Sequence, residues 1–159
     1  DEIWNYQQVD LGFNYRMSDM HAALGISQLQ RLEEFVYNRH QIANYYNSEL
    51  SSIGICLPHQ NLKTYSSFHL YPIRVSKNKG GISQRKLFNY LRENNIGVNL
   101  HYIPIYRHPY FRELGFKKGY CEEAENHFKE VISLPMYSSL RKKEQKFIIE
   151  TIKSIFKNE

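Results

Sequence analysis

Metal clusters, disulfide frameworks and membrane spans all lack their usual signatures in this chain. Cys56 and Cys121 are the only cysteines among 159 residues. Two thiols so far apart make neither a zinc spacing nor a disulfide scaffold, and the expected compartment is a reducing cytoplasm. No apolar run approaches the roughly 18 residues of a membrane-spanning helix, and no signal peptide is expected ahead of the fold. A G-x-S-x-G elbow is missing, as is a glycine-rich phosphate loop, because "KNKGG" lacks the strand-turn-helix context of one. His101 and His108 have Pro104 between them and no carboxylate or thiol at ligand spacing, so no metal is expected.

Tryptophan is also scarce, with Trp4 alone, whereas 13 tyrosines and 9 phenylalanines are present. That density points to aromatic clefts as well as core. The formal net charge is +5. The cations are spread along the chain, and the closest cluster is Arg141, Lys142, Lys143 and Lys146, offset by Glu144. A solvated helix face explains that cluster, and a positive surface equally suits a phosphorylated small substrate. Nucleic acid is therefore not expected as a partner, nor is a membrane. A small basic α+β module binding nucleotides or single-stranded nucleic acid stays open as the alternative.

Secondary structure follows from spacing. Ser18 is a good helix N-cap, with Asp19 in the first turn. Ala22, Ile26, Leu29, Leu32, Phe35, Val36, Ile42, Ala43, Tyr46 and Leu50 then recur at helical intervals. They predict one helix of about 30 residues, roughly 45 Å long, which would bridge two domains or two subunits. His21 is read as a helix-face residue. Short strands are predicted in "IGICLP", in "SFHLYPIRVS" with Pro72 at an edge or bulge, in "VNLHYIP" and in "ISLPMY". Helices are predicted after Ser83, from about Cys121 to Val131, and from Lys142 to Phe156. The fold class is α+β: a long N-terminal bridging helix, then a small antiparallel or mixed sheet covered by helices. The division expected is 1–52 for the loop and long helix and 53–159 for the small domain.

"HYIPIYRHPYF" differs from an ordinary surface turn. Its histidines and tyrosines can stack on rings and bond hydroxyls, and Arg107 can fork onto carboxylate or phosphate. A loop burying its rings under a neighbouring domain would have the same composition.

Taken together, "LGFNYRMSDMHAALGISQLQRL", "SFHLYPIRV" and "VNLHYIPIYRHPYF" resemble the DegT/DnrJ/EryC1/StrS sugar-nucleotide aminotransferases, pyridoxal-phosphate enzymes of fold type I. The resemblance covers the whole chain and falls on the family's C-terminal part, the bridging helix and small domain. It implies transamination from glutamate to the C4 keto group of a nucleotide-linked sugar, with pyridoxal phosphate as electron sink. It implies a homodimer in which the asparagine of the N-x-R segment, Asn14 here, reaches the cofactor phosphate of the partner, with Arg16 beside it. It places His101, Tyr102 and Pro104 on the sugar-nucleotide side of the cleft. Tyr106, where many relatives have histidine, together with His108 and His69, completes the expected substrate-binding set. "SSFHLYPIRVSKNKGG" imitates the family's Schiff-base lysine stretch. However, Tyr71 and Pro72 follow His69 where that lysine would stand, and Lys77 and Lys79 come too late. No catalytic residue is therefore expected in this chain. The large lysine-bearing domain is expected to be absent, and the chain to be an inactive fragment that does not bind the cofactor by itself.

Overall fold

A computed structural model of the chain describes residues 10–13, 15–75 and 81–157. Asn14, Ser76, Lys77 and Lys79 lie outside the described residues, as does Trp4. The chain divides into two compact units, Asp1–Glu33 and Glu34–Glu159.

In the first unit, helix α1 spans Asp19–Leu29. Ser18 caps it as expected, its hydroxyl accepting the His21 backbone N–H while also lying 3.0 Å from His21 Nδ1. α1 buries none of its residues, and Leu24, Ile26 and Leu29 are exposed.

The expected single long helix is interrupted. α1 ends at Leu29 and α2 runs Leu32–Leu50. At the junction the Arg31 N–H bonds the Gln28 carbonyl, a tightened i-to-i−3 turn. Neither glycine nor proline stands there, so the apolar periodicity runs through the break unchanged.

In the second unit, β1 (Tyr71–Arg74) pairs antiparallel with β2 (Val131–Leu134), in a register that sets Tyr71 opposite Leu134 and Ile73 opposite Ile132. Two of the four predicted strands contract to single bridges on the outer edges, Cys56 to Arg74 and Asn99 to Ser133. Pro72 sits opposite Ser133, whose N–H and carbonyl both turn away to Asn99. The pair is therefore a non-hydrogen-bonded one, and the missing proline N–H removes no bond between the strands.

Helices α3 (Gln84–Glu93), α4 (Pro109–Glu113), α5 (Glu122–Glu130) and α6 (Lys142–Lys157) complete the unit, with a 3₁₀ turn at Ile105–Arg107. Ser83 caps α3, its hydroxyl accepting from Lys86 N–H. Tyr46 and Leu50 of α2, Leu87 and Leu91 of α3 and Ile148, Ile149 and Ile152 of α6 pack with the strand residues in one core. The core's phenols find partners, as buried hydroxyls require. Tyr46 donates to the Pro135 carbonyl at 3.1 Å, and Tyr71 to Asn47 Oδ1 at 2.5 Å. Burial pushes both phenols well above their usual range.

Candidate functional site

β2 and its exit organise the polar loops. Its four residues are all buried, and Ser133 is the one polar side chain among Val131, Ile132 and Leu134. The bridge to Asn99 brings the following loop alongside, and His101 Nδ1 lies 2.8 Å from Ser133 Oγ. Tyr102 meets the His101 ring edge-on, centroids 4.6 Å apart, across a cis peptide bond. His101 is half-buried, whereas Tyr102 is 69% exposed.

Just beyond β2, the Met136 carbonyl shares one guanidinium with two others. Arg39 Nη1 of α2 donates to the carbonyls of Phe68 (2.9 Å), Met136 (3.2 Å) and His69 (3.3 Å). Phe68 is held at φ +45°, a left-handed conformation costly for a phenylalanine, and the Arg39 bond fixes its carbonyl there. His69 itself is exposed. In the same segment His40 Nε2 lies 2.8 Å from the Ser66 carbonyl, and its ring stacks on Tyr65.

Tyr106 turns inward. It is buried, and its hydroxyl donates to the Cys121 carbonyl (2.9 Å) and to Glu125 Oε1 (3.2 Å). Glu125 is buried on α5. It also accepts the Gly119 backbone N–H at 3.1 Å, and its Oε2 stands 3.6 Å from Arg107 Nη1. The Arg107 guanidinium lies over the Phe128 ring. The Gly119 N–H, more than burial opposes it, holds the Glu125 carboxyl below the usual carboxylate range. Burial, ahead of the carboxylate beside it, pushes the Tyr106 phenol up. Arg107, Arg112, Lys117 and Lys118 line an open groove of about 830 Å³ with Glu113 and Phe116. His108 is exposed at the start of α4 and makes no side-chain cap. Of the last helix's basic cluster, Arg141 pairs with Glu144 and Lys142 lies over the Tyr45 ring.

The expected substrate set is therefore distributed. His101 and Tyr102 share a corner built on Ser133, and the His69 backbone is fixed through Arg39. The Tyr106 hydroxyl is occupied by Glu125 and Cys121. Arg16 is exposed within the first unit, and Asn14 lies outside the described residues. Sequence reasoning missed Ser133, Arg39 and Glu125. Only Ser133 left a trace, as a lone hydroxyl in an otherwise apolar strand.

A pyridoxal-phosphate site needs a buried lysine amine and a group facing the ring nitrogen as well as phosphate donors. Among the described residues every lysine is exposed except the half-buried Lys153, which pairs with Glu49. Glu125, the buried carboxylate, is held by Gly119, Tyr106 and Arg107. The described residues do not make this site by themselves.

This small antiparallel sheet packed among helices is the build of a domain found in sugar aminotransferases. The putative sugar aminotransferase Spr1654 of Streptococcus pneumoniae, in its apo form, matches over 98% of the chain with a TM-score of 0.87 and 30% identity, 39% of that protein being covered. The same protein has also been solved in its pyridoxal-phosphate form. The chain belongs to the DegT/DnrJ/EryC1/StrS aminotransferase family, whose profile matches residues 1–153.

Among curated relatives, it is 34% identical over 155 residues to the UDP-4-amino-4,6-dideoxy-N-acetyl-β-L-altrosamine transaminase of Campylobacter jejuni, across 96% of the chain and 40% of the relative. Helicobacter pylori PseC, an aminotransferase involved in the biosynthesis of pseudoaminic acid, matches the whole chain at 25% identity with a TM-score of 0.87, 43% of it being covered. The chain thus spans about 40% of the length of the curated relatives it matches. No helix among the described residues is long and apolar enough to cross a membrane.

Proposed function

We propose that this chain is the C-terminal part of a pyridoxal-phosphate-dependent transferase that moves an amino group from glutamate to the C4 keto group of a UDP-linked deoxy sugar. The pathway would be cytoplasmic and lead to pseudaminic acid or a related cell-surface polysaccharide sugar. One observation carries the reading: 34% identity to an altrosamine transaminase sustained over 96% of the chain. That no lysine is buried among the described residues supports the view that the Schiff-base lysine lies in a large domain outside this chain, and that the chain alone is inactive.

In the intact enzyme, a homodimer, Asn14 and Arg16 serve the cofactor phosphate. His101 and Tyr102 meet the nucleotide sugar, with His69 and His108 at its margins. Tyr106 acts in this set by holding its loop, because its hydroxyl is turned inward to Glu125. Arg107, Arg112, Lys117 and Lys118 supply a positive field that favours an anionic substrate.

The test is turnover of UDP-4-keto-6-deoxy sugar with glutamate by the intact protein, following 2-oxoglutarate and the sugar amine. The 159-residue chain with added pyridoxal phosphate is expected to give neither product nor Schiff-base absorbance. An intact protein without a lysine-bearing domain, or one that aminates no nucleotide sugar, would overturn the reading.

A further inference from the structure

Ser133 is 4% exposed in a strand of apolar neighbours, where an unbonded hydroxyl is costly. Its hydroxyl has one side-chain partner among the described residues, His101 Nδ1 at 2.8 Å. Two arrangements fit that distance. If the ring donated to the serine oxygen, the serine's own proton would need a second acceptor, and none stands within reach among the described residues. If the serine donates to Nδ1, every polar atom at the contact is satisfied. The second arrangement leaves the neutral ring's proton on Nε2. Nε2 has no hydrogen-bond partner among the described residues, and the edge-on contact with Tyr102 restrains the ring plane.

We infer that Ser133 is a positioning residue that holds His101 as the Nε2–H tautomer, so that the ring offers a fixed N–H donor to an acceptor oxygen of the substrate. Such an oxygen is a sugar hydroxyl, a carbonyl or a phosphate oxygen. The inference deepens the proposed function and rests on it for the identity of the ligand, but the tautomer is a property of the chain alone. Two features of the fold serve the same end. The Asn99 to Ser133 bridge sets the distance of the loop from β2, and the non-hydrogen-bonded Pro72 to Ser133 pair leaves the serine backbone free to make that bridge.

Long-range ¹H–¹⁵N spectra of the histidine rings in the 159-residue chain, at a pH where they are neutral, test this directly. The expected result is a His101 Nδ1 shift of the unprotonated type and an Nε2 shift of the protonated type. Ser133→Ala is expected to move both toward the average of two exchanging tautomers, and Ser133→Thr to restore them. A wild-type ring protonated at Nδ1, or one already averaged, overturns the inference without reference to any variant. Shifts unchanged in a folded Ser133→Ala chain overturn it as well.

In the intact enzyme, Ser133→Ala is expected to raise KM for the nucleotide sugar roughly fivefold to tenfold, the value of about one hydrogen bond. The half-reaction with glutamate should stay unchanged, and adding His101→Phe should give little beyond the larger single effect. An intact protein with no aminotransferase turnover sinks the functional reading, and the tautomer assignment is then decided by the ring spectra.

Discussion

Glu125 is the one charged residue buried among those described, and it ties three parts of one loop together: the Tyr106 hydroxyl, the Gly119 N–H and the Arg107 guanidinium. Its carboxyl is held below the usual range, so the folded state favours the ionised form more than the unfolded chain does. The sign of the pH dependence follows. The stabilisation is complete above the unfolded carboxyl pKa, about 4.3, and is lost as pH falls through the lower folded value. Glu125→Gln is expected to lower Tm at neutral pH, with the gap to wild type narrowing as the solution becomes acidic. A gap that stays constant through that range in thermal unfolding would show that the charge contributes nothing. Arg39 works at the same scale, with three backbone carbonyls on one nitrogen. Replacing it with alanine leaves those carbonyls without their donor and is expected to cost about 1.5–3 kcal/mol in urea unfolding. Lysine should recover only part of this, because an ammonium lacks the fixed fork.

At the scale of elements, α3 gathers its leucines on one buried side, whereas α1 spreads its apolar residues around the helix and buries none. Leu91 of α3 is fully enclosed in the core, whereas Leu24 of α1 is 60% exposed. Leu91→Ala is therefore expected to cost about 2–5 kcal/mol, and Leu24→Ala, in the chain diluted until it is monomeric, to change unfolding by less than about 0.5 kcal/mol. Equal effects at the two positions under that dilution would mean that α1 is packed within the single chain.

Helix caps were legible because Ser18 and Ser83 act on N–H groups three residues ahead, a local bond that a local sequence encodes. Edge strands were overcalled for the complementary reason. "IGICLP" and "VNLHYIP" have strand composition, but each meets the sheet through one bridge, and the number of partners a strand finds depends on chain far away. The Tyr106 environment was illegible on the same ground, since its carboxylate stands nineteen residues downstream on another helix. Asn14 and Arg16 were singled out by resemblance to a family motif, and the described geometry adds only that Arg16 is exposed.

At the scale of the whole molecule, the exposed apolar residues of α1 pose an energetic question. Leu24, Ile26 and Leu29 stand on one helix with no buried residue, and Met20 is exposed just before them. Met20 and Leu24, four residues apart, share one side of the helix, and Ile26 and Leu29, three apart, share another; exposed apolar pairs of this kind mark surfaces that are covered in the working assembly. A homodimer provides the cover if the proposed function holds, because Asn14 and Arg16, a few residues ahead of α1, are then lent to a partner subunit's cofactor. A stable dimer generally buries about 1,200 Å² or more, so the helix would have to act together with neighbouring segments. The 159-residue chain is expected to self-associate in sedimentation velocity at micromolar concentration. An Ile26→Glu, Leu29→Glu double variant, its positions three residues apart and so on one side of the helix, should run as a monomer, because two carboxylates cannot be buried against a second apolar face without a partner charge. Fold integrity can be checked independently, since the core of Tyr46, Leu91 and Ile152 lies in the second unit and should keep its unfolding transition in the variant. A wild-type chain that sediments as a clean monomer across the concentration range would remove α1 as an association surface, and with it this support for lending Asn14 across a subunit boundary.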